Sequence, residues 1–373
     1  MKKIRLGVIG TGDFAEVCYL PGLSSHPQAE VVALCGRTYE RARLLADCFS
    51  IPNVYTDYDE LCRRDDLDGV TIVSATACHA EHAIAALKHG KHVFCEKPLG
   101  VNVTEAMDMA RAAEKSRKVH QVAFTFRYGH AVQELRRRVR AGDIGKPFYA
   151  RIQYDSWDGL PRGRKKIGRP KTASTEGGLL FDYGSHLFDV VRFVLGPIDS
   201  VAGFVHRMRR PCAGREPLID VDVETDELVA AWFTLPDGIR GQWFLGGLTP
   251  PFAEYGYLEV IGFEGALKAS LSRGTIDILK VSRPTKPAWE ELPLPAQAKD
   301  GKPHCLTNMM HSFVQACLLG TLDGDIDASF HDGLASQECM EEVLKSTNAR
   351  SGVGAAELLR SFDPKDAAGK TVV

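Results

Sequence analysis

The sequence predicts a parallel α/β domain followed by an α+β domain that is built on a largely antiparallel open sheet. Short apolar segments alternate with amphipathic segments up to about residue 124, whereas the rest of the chain pairs long strand-like segments through tight turns. A chain of 373 residues also exceeds what one ordinary core holds. We therefore expect domains at 1–124 and 125–363 and a loose tail at 364–373.

The first domain begins with the continuous apolar segment 4–10, which has the character of a strand buried on both faces. Strand-like and helix-like segments alternate after it. This alternation produces a doubly wound parallel sheet with helices on both faces. The further strands are expected at 30–35, 69–75, 91–95 and 119–124, and the helices at 39–49, 80–89 and 103–118.

Turn signals identify the antiparallel part of the second domain. Pro236-Asp237-Gly238 presets a tight turn, and the strand-like segments on either side of it predict a hairpin over 228–245. A second hairpin is expected over 257–271. A strand is expected at 147–154, and helices at 131–140, 179–195, 308–319 and 336–347.

The composition is that of an ordinary globular protein, with 44% apolar residues, 25% charged residues and a net charge of −2. This charge provides no overall field for nucleic acid or an anionic membrane, so we expect neither as a partner. The chain has no apolar run of the roughly 20 residues that a membrane-spanning helix needs, and its start is expected to be a strand rather than a leader. Ten scattered cysteines without a Cys-x-x-Cys pair favour free thiols in the cytoplasm and give no support to a metal site.

A glycine-rich segment between the first predicted strand and the next helix matches Gly-x-Gly-x-x-Gly/Ala. Gly10 permits a tight turn, Gly12 lets a pyrophosphate approach the backbone, and Ala15 allows close packing of helix on strand. Phosphate would sit on the N–H groups of the helix N-terminus. An ordinary turn is the alternative, but this context favours a dinucleotide-binding Rossmann domain whose loop comprises Gly10, Thr11, Gly12, Asp13, Phe14 and Ala15.

The end of the second strand bears on the choice between NAD and NADP. An acidic residue there would hold the ribose 2′-hydroxyl of NAD, but this chain has Cys35-Gly36-Arg37-Thr38. The guanidinium of Arg37, with Arg41 one helical turn later, suits a 2′-phosphate. NADP is therefore slightly favoured, and the alternative is a solvated Arg37 with NAD bound through other groups.

Lys97 lies just past the carboxyl end of a predicted parallel strand, in the segment Glu96-Lys97-Pro98-Leu99. Ligands of open α/β sheets bind at that edge. Pro98 favours an extended Lys97, whose ammonium can donate to a substrate hydroxyl and stabilise the alkoxide that forms as hydride leaves. Glu96 is a candidate for holding the nicotinamide ribose. Taken alone, a surface lysine before a proline is the ordinary alternative.

Asp182 and His186 are four residues apart in a predicted helix, so they share one face. An imidazole suits proton transfer at an alcohol, and a carboxylate beside it can orient the ring or contact a sugar. The alternative is a buried structural pair, but the presence of Lys97 and the glycine loop favours catalysis. The spacing also suits a metal, although no further ligands cluster in the sequence.

Taken in order, these motifs resemble those of the glucose–fructose oxidoreductase, inositol dehydrogenase and rhizopine-catabolism (Gfo/Idh/MocA) family. The resemblance covers nearly the whole chain. It rests on the glycine loop, on the Glu-Lys-Pro segment and on Gly177-Gly178-Leu179-Leu180-Phe181-Asp182-x-Gly184-x-His186. One departure is Ala77, because the family usually has proline at that position.

The resemblance implies roles for individual residues. His186 would be the general base in oxidation, Lys97 would polarise the reacting oxygen, and Asp182 would orient His186 and contact a neighbouring hydroxyl. Thr76 and His79 would lie on the cofactor side. The family also implies a homodimer or homotetramer.

The substrate residues are less sharply defined. Lys97, Asp182 and His186 are expected to contact a sugar. Arg127 and Tyr154 are further candidates, with an ion pair between domains and core packing as their respective alternatives. The segment 162–171 carries six basic and no acidic residues. Within it, Arg164 and Lys166 belong either to a solvated loop or to a lid that clamps an anionic sugar.

Three functions fit these residues. The favoured one is an NAD(P)-dependent oxidoreductase that transfers hydride to or from a secondary hydroxyl of a sugar, polyol or related carbohydrate. The second is a redox-neutral glycosidase that oxidises an anionic glycoside, eliminates the aglycone and returns the hydride. The third is a non-catalytic sensor that binds the cofactor.

Overall fold

The fold is given by a computed structural model that describes residues 2–155, 178–207, 209–211, 220–222, 226–247, 256–272, 277–294 and 304–350. The basic segment 162–171 and the expected tail at 364–373 lie outside these residues. Among the described helices, none combines the length and the apolar character needed to cross a bilayer.

The first domain is built on a parallel six-stranded sheet in the order β3-β2-β1-β4-β5-β6. This is the Rossmann order, in which the chain reverses direction across the sheet between β1 and β4 and leaves a crevice at the carboxyl ends of these strands. The predicted fold class is confirmed. The strands are β1 (Ile4–Ile9), β2 (Ala29–Cys35), β3 (Asn53–Tyr55), β4 (Gly69–Ile72), β5 (His92–Cys95) and β6 (His120–Val122).

Helices cover this sheet, and the predicted ones are confirmed. A π-helical turn, Ala15–Tyr19, leads from the glycine loop into the first of them. The helices are α1 (Leu20–Ser24), α2 (Tyr39–Cys48), α3 (Tyr58–Cys62), α4 (His79–Lys88) and α5 (Val103–Ser116).

Two short elements of the first domain were not predicted. The edge strand β3 has three residues of intermediate burial, so it carries no periodic apolar signal. The single helical turn α3 follows Asp57, whose side chain accepts a 2.8 Å hydrogen bond from the backbone N–H of Asp59. This N-cap and the acidic Asp59 and Glu60 in the first turn are local signals of a helix start that the prediction missed.

The second domain is built on an eight-stranded sheet in the order β16-β15-β14-β13-β7-β12-β11-β8. Neighbouring strands are antiparallel except for the parallel pair β7 and β12. Both predicted hairpins, β11–β12 and β13–β14, are confirmed. The strands of this sheet are β7 (Pro147–Asp155), β8 (Ser200–His206), β11 (Leu228–Thr234), β12 (Arg240–Gly246), β13 (Gly256–Gly262), β14 (Gly265–Ser270), β15 (Leu279–Arg283) and β16 (Lys286–Leu292), and a separate small pair is formed by β9 (Arg209–Pro211) and β10 (Asp220–Asp222).

One face of this sheet is covered by helices, and the core lies between them. Phe188 of the covering helix meets Trp243 of the sheet edge-to-face, with ring centroids 5.1 Å apart. The last helix begins earlier than expected, because Ser329 and Asp332 bond reciprocally in a capping box. The helices are α6 (His130–Arg140), α7 (Ser185–Leu195), α8 (His304–Leu319) and α9 (Phe330–Arg350).

Helix α8 returns from the second domain to the first. Its buried side chains, including Met309 and Phe313, share a core with Leu6, Tyr19 and Leu20. The ring of Phe313 meets that of Phe94 with centroids 5.4 Å apart. The two domains are therefore joined by packed apolar surface as well as by the chain connection.

Candidate active site

The glycine loop follows β1 at the carboxyl edge of the parallel sheet. Gly10 has a φ of 128°, and a Cβ there would collide with the carbonyl group of Val73, so glycine is required. A Cβ on Gly12 would meet nothing within 4 Å, whereas Ala15 is completely buried. The loop therefore has a tight turn, open space beside its backbone and close helix packing, which are the features that a pyrophosphate site needs.

The residues after β2 lie beside this loop. Arg37 and Thr38 are exposed at the start of α2. Arg41 is half-buried, and its Nε donates a 3.3 Å hydrogen bond to the carbonyl oxygen of Thr11. Its Nη2 also lies 2.5 Å from a carboxylate oxygen of Glu16. The guanidinium of Arg41 is thereby held against the glycine loop.

Glu96 is held at the carboxyl end of β5 by two hydrogen bonds. The hydroxyl of Tyr19 donates to Oε1 over 2.5 Å, and the backbone N–H of Lys97 donates to Oε2 over 2.9 Å. Burial and the adjacent Glu96 carboxylate raise the pKa of Tyr19 well above its ordinary value, so the phenol keeps its proton. The sequence analysis did not identify Tyr19, which ends the π-helical turn that follows the glycine loop.

His79 forms hydrogen bonds with the backbone next to Lys97. Its ring nitrogens lie 2.9 Å from the carbonyl oxygen of Pro98 and 3.1 Å from that of Ser74. Burial lowers the pKa of this imidazole, so the ring is neutral and donates to one carbonyl group at a time. Thr76 begins the short 3₁₀ turn that precedes α4 and is half-buried. The expected cofactor role of His79 stays a prediction, and its visible contacts are with backbone.

Lys97 of the first domain meets Asp182 of the second. Its Nζ donates a 2.9 Å hydrogen bond to the backbone carbonyl oxygen of Asp182 and a second, very short one to Oδ1. The two side chains are 13% and 19% exposed. Two residues that lie far apart in the sequence therefore form one charged pair at the carboxyl edge of the parallel sheet.

Asp182 lies in a π-helical turn, Leu180–Gly184, that opens helix α7. Single π-helical turns are frequent at functional sites, and their longer hydrogen-bonded ring changes the spacing of side chains on one face. The start of the turn is anchored by Asp226, whose buried carboxylate accepts a 2.7 Å hydrogen bond from the backbone N–H of Leu180. Sequence reasoning missed Asp226. A Cβ at Gly178 would collide with that carboxylate, so glycine is required there.

His186 is the second residue of α7 and is 3% exposed. Its ring packs on Phe126, with centroids 5.0 Å apart, and on Phe124, with centroids 5.8 Å apart. Tyr154 also packs on Phe126 and on Tyr183. The imidazole is thus held by aromatic side chains from the segment that follows β6, and Tyr154 belongs to the same buried cluster.

Arg127 lies in a buried ion network rather than at an open surface. Its Nε and Nη2 bind both carboxylate oxygens of Asp189, and Nη2 also lies 3.0 Å from Asp332. Its Nη1 donates to the backbone carbonyl oxygen of Asp327. Burial opposes the charge, but Asp189 and Asp332 outweigh it and raise the pKa of Arg127. The expected alternative to substrate binding was an ion pair between domains, but Asp189 and Asp332 belong to α7 and α9 of the second domain, as Arg127 itself does.

Two family profiles match the chain. One describes an oxidoreductase family with an NAD-binding Rossmann fold and matches residues 4–124. The other describes the Gfo/Idh/MocA C-terminal domain and matches residues 132–268.

Individual relatives are sugar-modifying oxidoreductases. D-apiose dehydrogenase of Paraburkholderia graminis is 29% identical over 217 residues, which are 58% of this chain and 56% of that enzyme. The dTDP-3,4-didehydro-2,6-dideoxy-alpha-D-glucose 3-reductase of Streptomyces violaceoruber is 31% identical over 311 residues, covering 79% of this chain and 82% of the reductase. The structure of levoglucosan dehydrogenase with NADH and levoglucosan superposes with a TM-score of 0.80 over 93% of this chain and 98% of that one, at 22% identity, and so shares the fold.

Proposed function

Because the chain belongs to the Gfo/Idh/MocA family of oxidoreductases, we propose that it transfers hydride between a nicotinamide cofactor and a secondary hydroxyl of a sugar, polyol or related carbohydrate. The observation that carries this proposal is the pairing of Lys97 Nζ with Asp182 across the two domains. An ammonium group at the carboxyl edge of a Rossmann sheet is suitably placed to meet a hydroxyl of a substrate bound there.

The residues of the first domain fit a dinucleotide. The turn at Gly10, the open space beside Gly12 and the buried Ala15 are the three features that the pyrophosphate motif requires. Thr11, Asp13 and Phe14 complete this loop, while Glu96 directly follows β5 and Thr76 begins the 3₁₀ turn four positions after β4. When bound, the nicotinamide accepts or supplies the hydride.

The protein's own groups then handle the proton and the charge. In oxidation the carbon gives up hydride, and the hydroxyl proton passes to the ring of His186 as general base. Lys97 has three N–H donors, so it can keep its contact with Asp182 and still donate to the reacting oxygen. Asp182 positions that ammonium and binds a neighbouring hydroxyl. Reduction runs through the same groups in reverse, with His186 as the acid.

We assign a slight preference for NADP over NAD. Support comes from the end of β2, where Gly36 stands in place of an acidic residue and the exposed Arg37 follows. Arg41 adds a second guanidinium on the same side of the glycine loop. Guanidinium groups form charge-assisted bonds with phosphate, whereas the acidic residue that would hold a free ribose hydroxyl at the end of β2 is replaced by Gly36.

We propose that the basic segment 162–171 is either a solvated loop or contacts an anionic carbohydrate through Arg164 and Lys166. An anionic glycoside would also suit the redox-neutral glycosidase. The two reactions differ in what accumulates, because a dehydrogenase changes the oxidation state of its nicotinamide, whereas the glycosidase releases the aglycone and regenerates the cofactor.

A two-stage experiment tests the proposed function. The purified protein is first titrated with NAD⁺ and NADP⁺ by calorimetry, and we expect saturable binding with NADP⁺ the tighter ligand. The loaded protein is then offered neutral and anionic sugars and chromogenic glycosides. Lasting change in nicotinamide absorbance supports the dehydrogenase, and aglycone release without such change supports the glycosidase. Binding of cofactor with neither reaction would identify the sensor and contradict the proposal.

We also propose that the protein forms a homodimer or homotetramer through its second sheet. Phe204, Trp232 and Phe244 are exposed on β8, β11 and β12, and the first two rings lie 6.3 Å apart. Aromatic side chains grouped on a sheet face are typical of interfaces. Sedimentation of the wild type and of Trp232→Glu tests this, and a monomeric wild type would contradict it.

A further inference from the structure

Three side chains from distant parts of the chain meet where the two domains join. His130 begins α6, His304 begins α8, and Asp277 lies two positions before β15. Oδ2 of Asp277 lies 3.7 Å from Nδ1 of His130 and 3.1 Å from Nε2 of His304. One potential ligand atom from each residue lies within 4.8 Å of the other two.

Polar atoms of these three side chains are buried and lack hydrogen-bond partners among the described residues. The side chain of Asp277 is 1% exposed. Its Oδ2 accepts a 3.2 Å hydrogen bond from the backbone N–H of His130. Its Oδ1, together with Nδ1 of His130 and Nε2 of His304, has no hydrogen-bond partner among the described residues. Buried polar atoms are nearly always satisfied in folded proteins, so this cluster calls for a further binding partner.

The two imidazole rings are stacked, with centroids 4.5 Å apart and planes inclined by 22°. In the part of the chain that the structure describes, each ring places one nitrogen without a hydrogen-bond partner near the carboxylate of Asp277. A divalent cation among these groups would accept a lone pair from each ring and from the carboxylate, and so satisfy all three at one point.

The distances fit a small transition-metal ion. Bonds from Zn²⁺ to histidine nitrogen and carboxylate oxygen are about 2.0–2.1 Å, so tetrahedral ligand atoms lie about 3.4 Å apart. The separations of 3.1 and 3.7 Å bracket that value. Two histidines and one carboxylate are also a familiar ligand set for Zn²⁺, with water in the fourth position. We propose that His130, Asp277 and His304 bind one Zn²⁺ ion per chain.

The site would act as a clamp between domains rather than in hydride transfer. Helix α8 begins at His304 and packs into the core of the first domain. Asp277 lies just before strand β15 of the second sheet, and His130 begins α6, the first helix of the second domain. A metal bound by all three would therefore fix the start of α8 to the second domain and stabilise the folded chain, since it binds the native state alone.

Metal content of the full-length protein tests the site directly. The wild type is loaded with Zn²⁺, freed of loose metal by desalting and analysed by mass spectrometry for zinc per chain. We expect about one equivalent in the wild type and less than about a tenth in Asp277→Asn and His304→Gln, because two ligands hold zinc far more weakly than three. The matched control is His331→Gln, which removes an exposed histidine that faces Glu114 and should leave the equivalent in place.

Cobalt distinguishes this site from binding to the free cysteines. Co²⁺ substituted into the wild type should give visible absorption of four- or five-coordinate nitrogen and oxygen ligation without a thiolate charge-transfer band. This measurement needs no variant, so a misfolded mutant does not obscure the answer. A wild type that retains no zinc, a strong thiolate band, or unchanged zinc in both folded ligand variants would each overturn the proposal.

Discussion

The ammonium of Lys97 donates a 2.9 Å hydrogen bond to the backbone carbonyl oxygen of Asp182, 85 positions later in the sequence. The lysine follows the fifth strand of the parallel sheet, and the aspartate lies in the π-helical turn that opens α7. This contact brings the carboxyl edge of the first domain and the helix that carries His186 to one place. The proposed chemistry depends on it.

Asp182→Asn tests what the carboxylate does for Lys97. The amide keeps the size of the side chain but removes the charge that positions the ammonium, so we expect turnover to fall by about a hundredfold. Cofactor affinity should change by less than about twofold, because the glycine loop is untouched. Steady-state kinetics and calorimetry measure the two effects. Asp199→Asn, at an exposed position, is the control, and an active Asp182→Asn protein would refute the assigned role.

Arg37→Ala tests the cofactor preference. Loss of a guanidinium that binds a 2′-phosphate should raise the KM for NADP by about tenfold and leave that for NAD within about twofold. Arg63→Ala removes an arginine of similar exposure at the end of α3 and should change neither constant. An equal change in KM for NADP and for NAD would show that Arg37 does not bind the 2′-phosphate.

Asp189→Ala tests the buried ion network. The side chains of Asp189 and Arg127 are 1% and 6% exposed. The substitution therefore removes the carboxylate that pairs with the buried guanidinium of Arg127. We expect the free energy of unfolding to fall by about 3 kcal/mol. Glu342→Gln, which breaks the exposed pair with Lys345, should cost less than about 1 kcal/mol. Urea unfolding measures the loss in unfolding free energy for each variant. Similar losses in both would contradict a stabilising role for the buried ion network.

His120 should make stability depend on pH. Its Nδ1 accepts a 3.2 Å hydrogen bond from the backbone N–H of Phe330, and burial followed by the nearby His331 lowers its pKa to about 4. The unfolded chain therefore binds a proton first as the pH falls below the ordinary histidine pKa of about 6.5. The stabilising effect of a neutral ring is complete above that value and is lost as the pH falls towards 4.

We expect the titration of His120 to lower the free energy of unfolding by about 1 kcal/mol when the pH falls from about 7.5 to about 5.5. Urea unfolding at both values, for the wild type and for His120→Gln, isolates this contribution. The variant should show the smaller loss. An identical pH dependence in the two proteins would mean that the imidazole of His120 titrates normally.

Much of the fold could be predicted because its signals are local. The apolar run of β1, the turn Gly10 and the Pro236-Asp237-Gly238 turn each specify their own element. The short edge strand β3 was missed because three half-buried residues carry no period. Helix α9 was predicted too short, since its capping box lies in a segment without a strong apolar stripe.

The candidate site was only partly predictable. Lys97, Asp182 and His186 were chosen from motif and resemblance, but the sequence does not show that Lys97 pairs with Asp182. The π-helical turn decides where the Asp182 carboxylate points, and no spacing rule reveals it. The cluster of His130, Asp277 and His304 escaped notice altogether, because His130 and Asp277 are 147 positions apart and only the folded chain brings them together.

The most direct test of the account is a single-turnover experiment on Lys97→Ala. Wild type and variant are loaded with oxidised nicotinamide cofactor and mixed rapidly with the carbohydrate that the wild type oxidises best, and reduction is followed by absorbance. Lys88→Ala, at an exposed position on α4, is the control. We predict that the variant binds cofactor normally and reduces it at least about a thousandfold more slowly, because the alkoxide loses its cationic partner. Reduction by Lys97→Ala at a rate near that of the wild type would contradict the account.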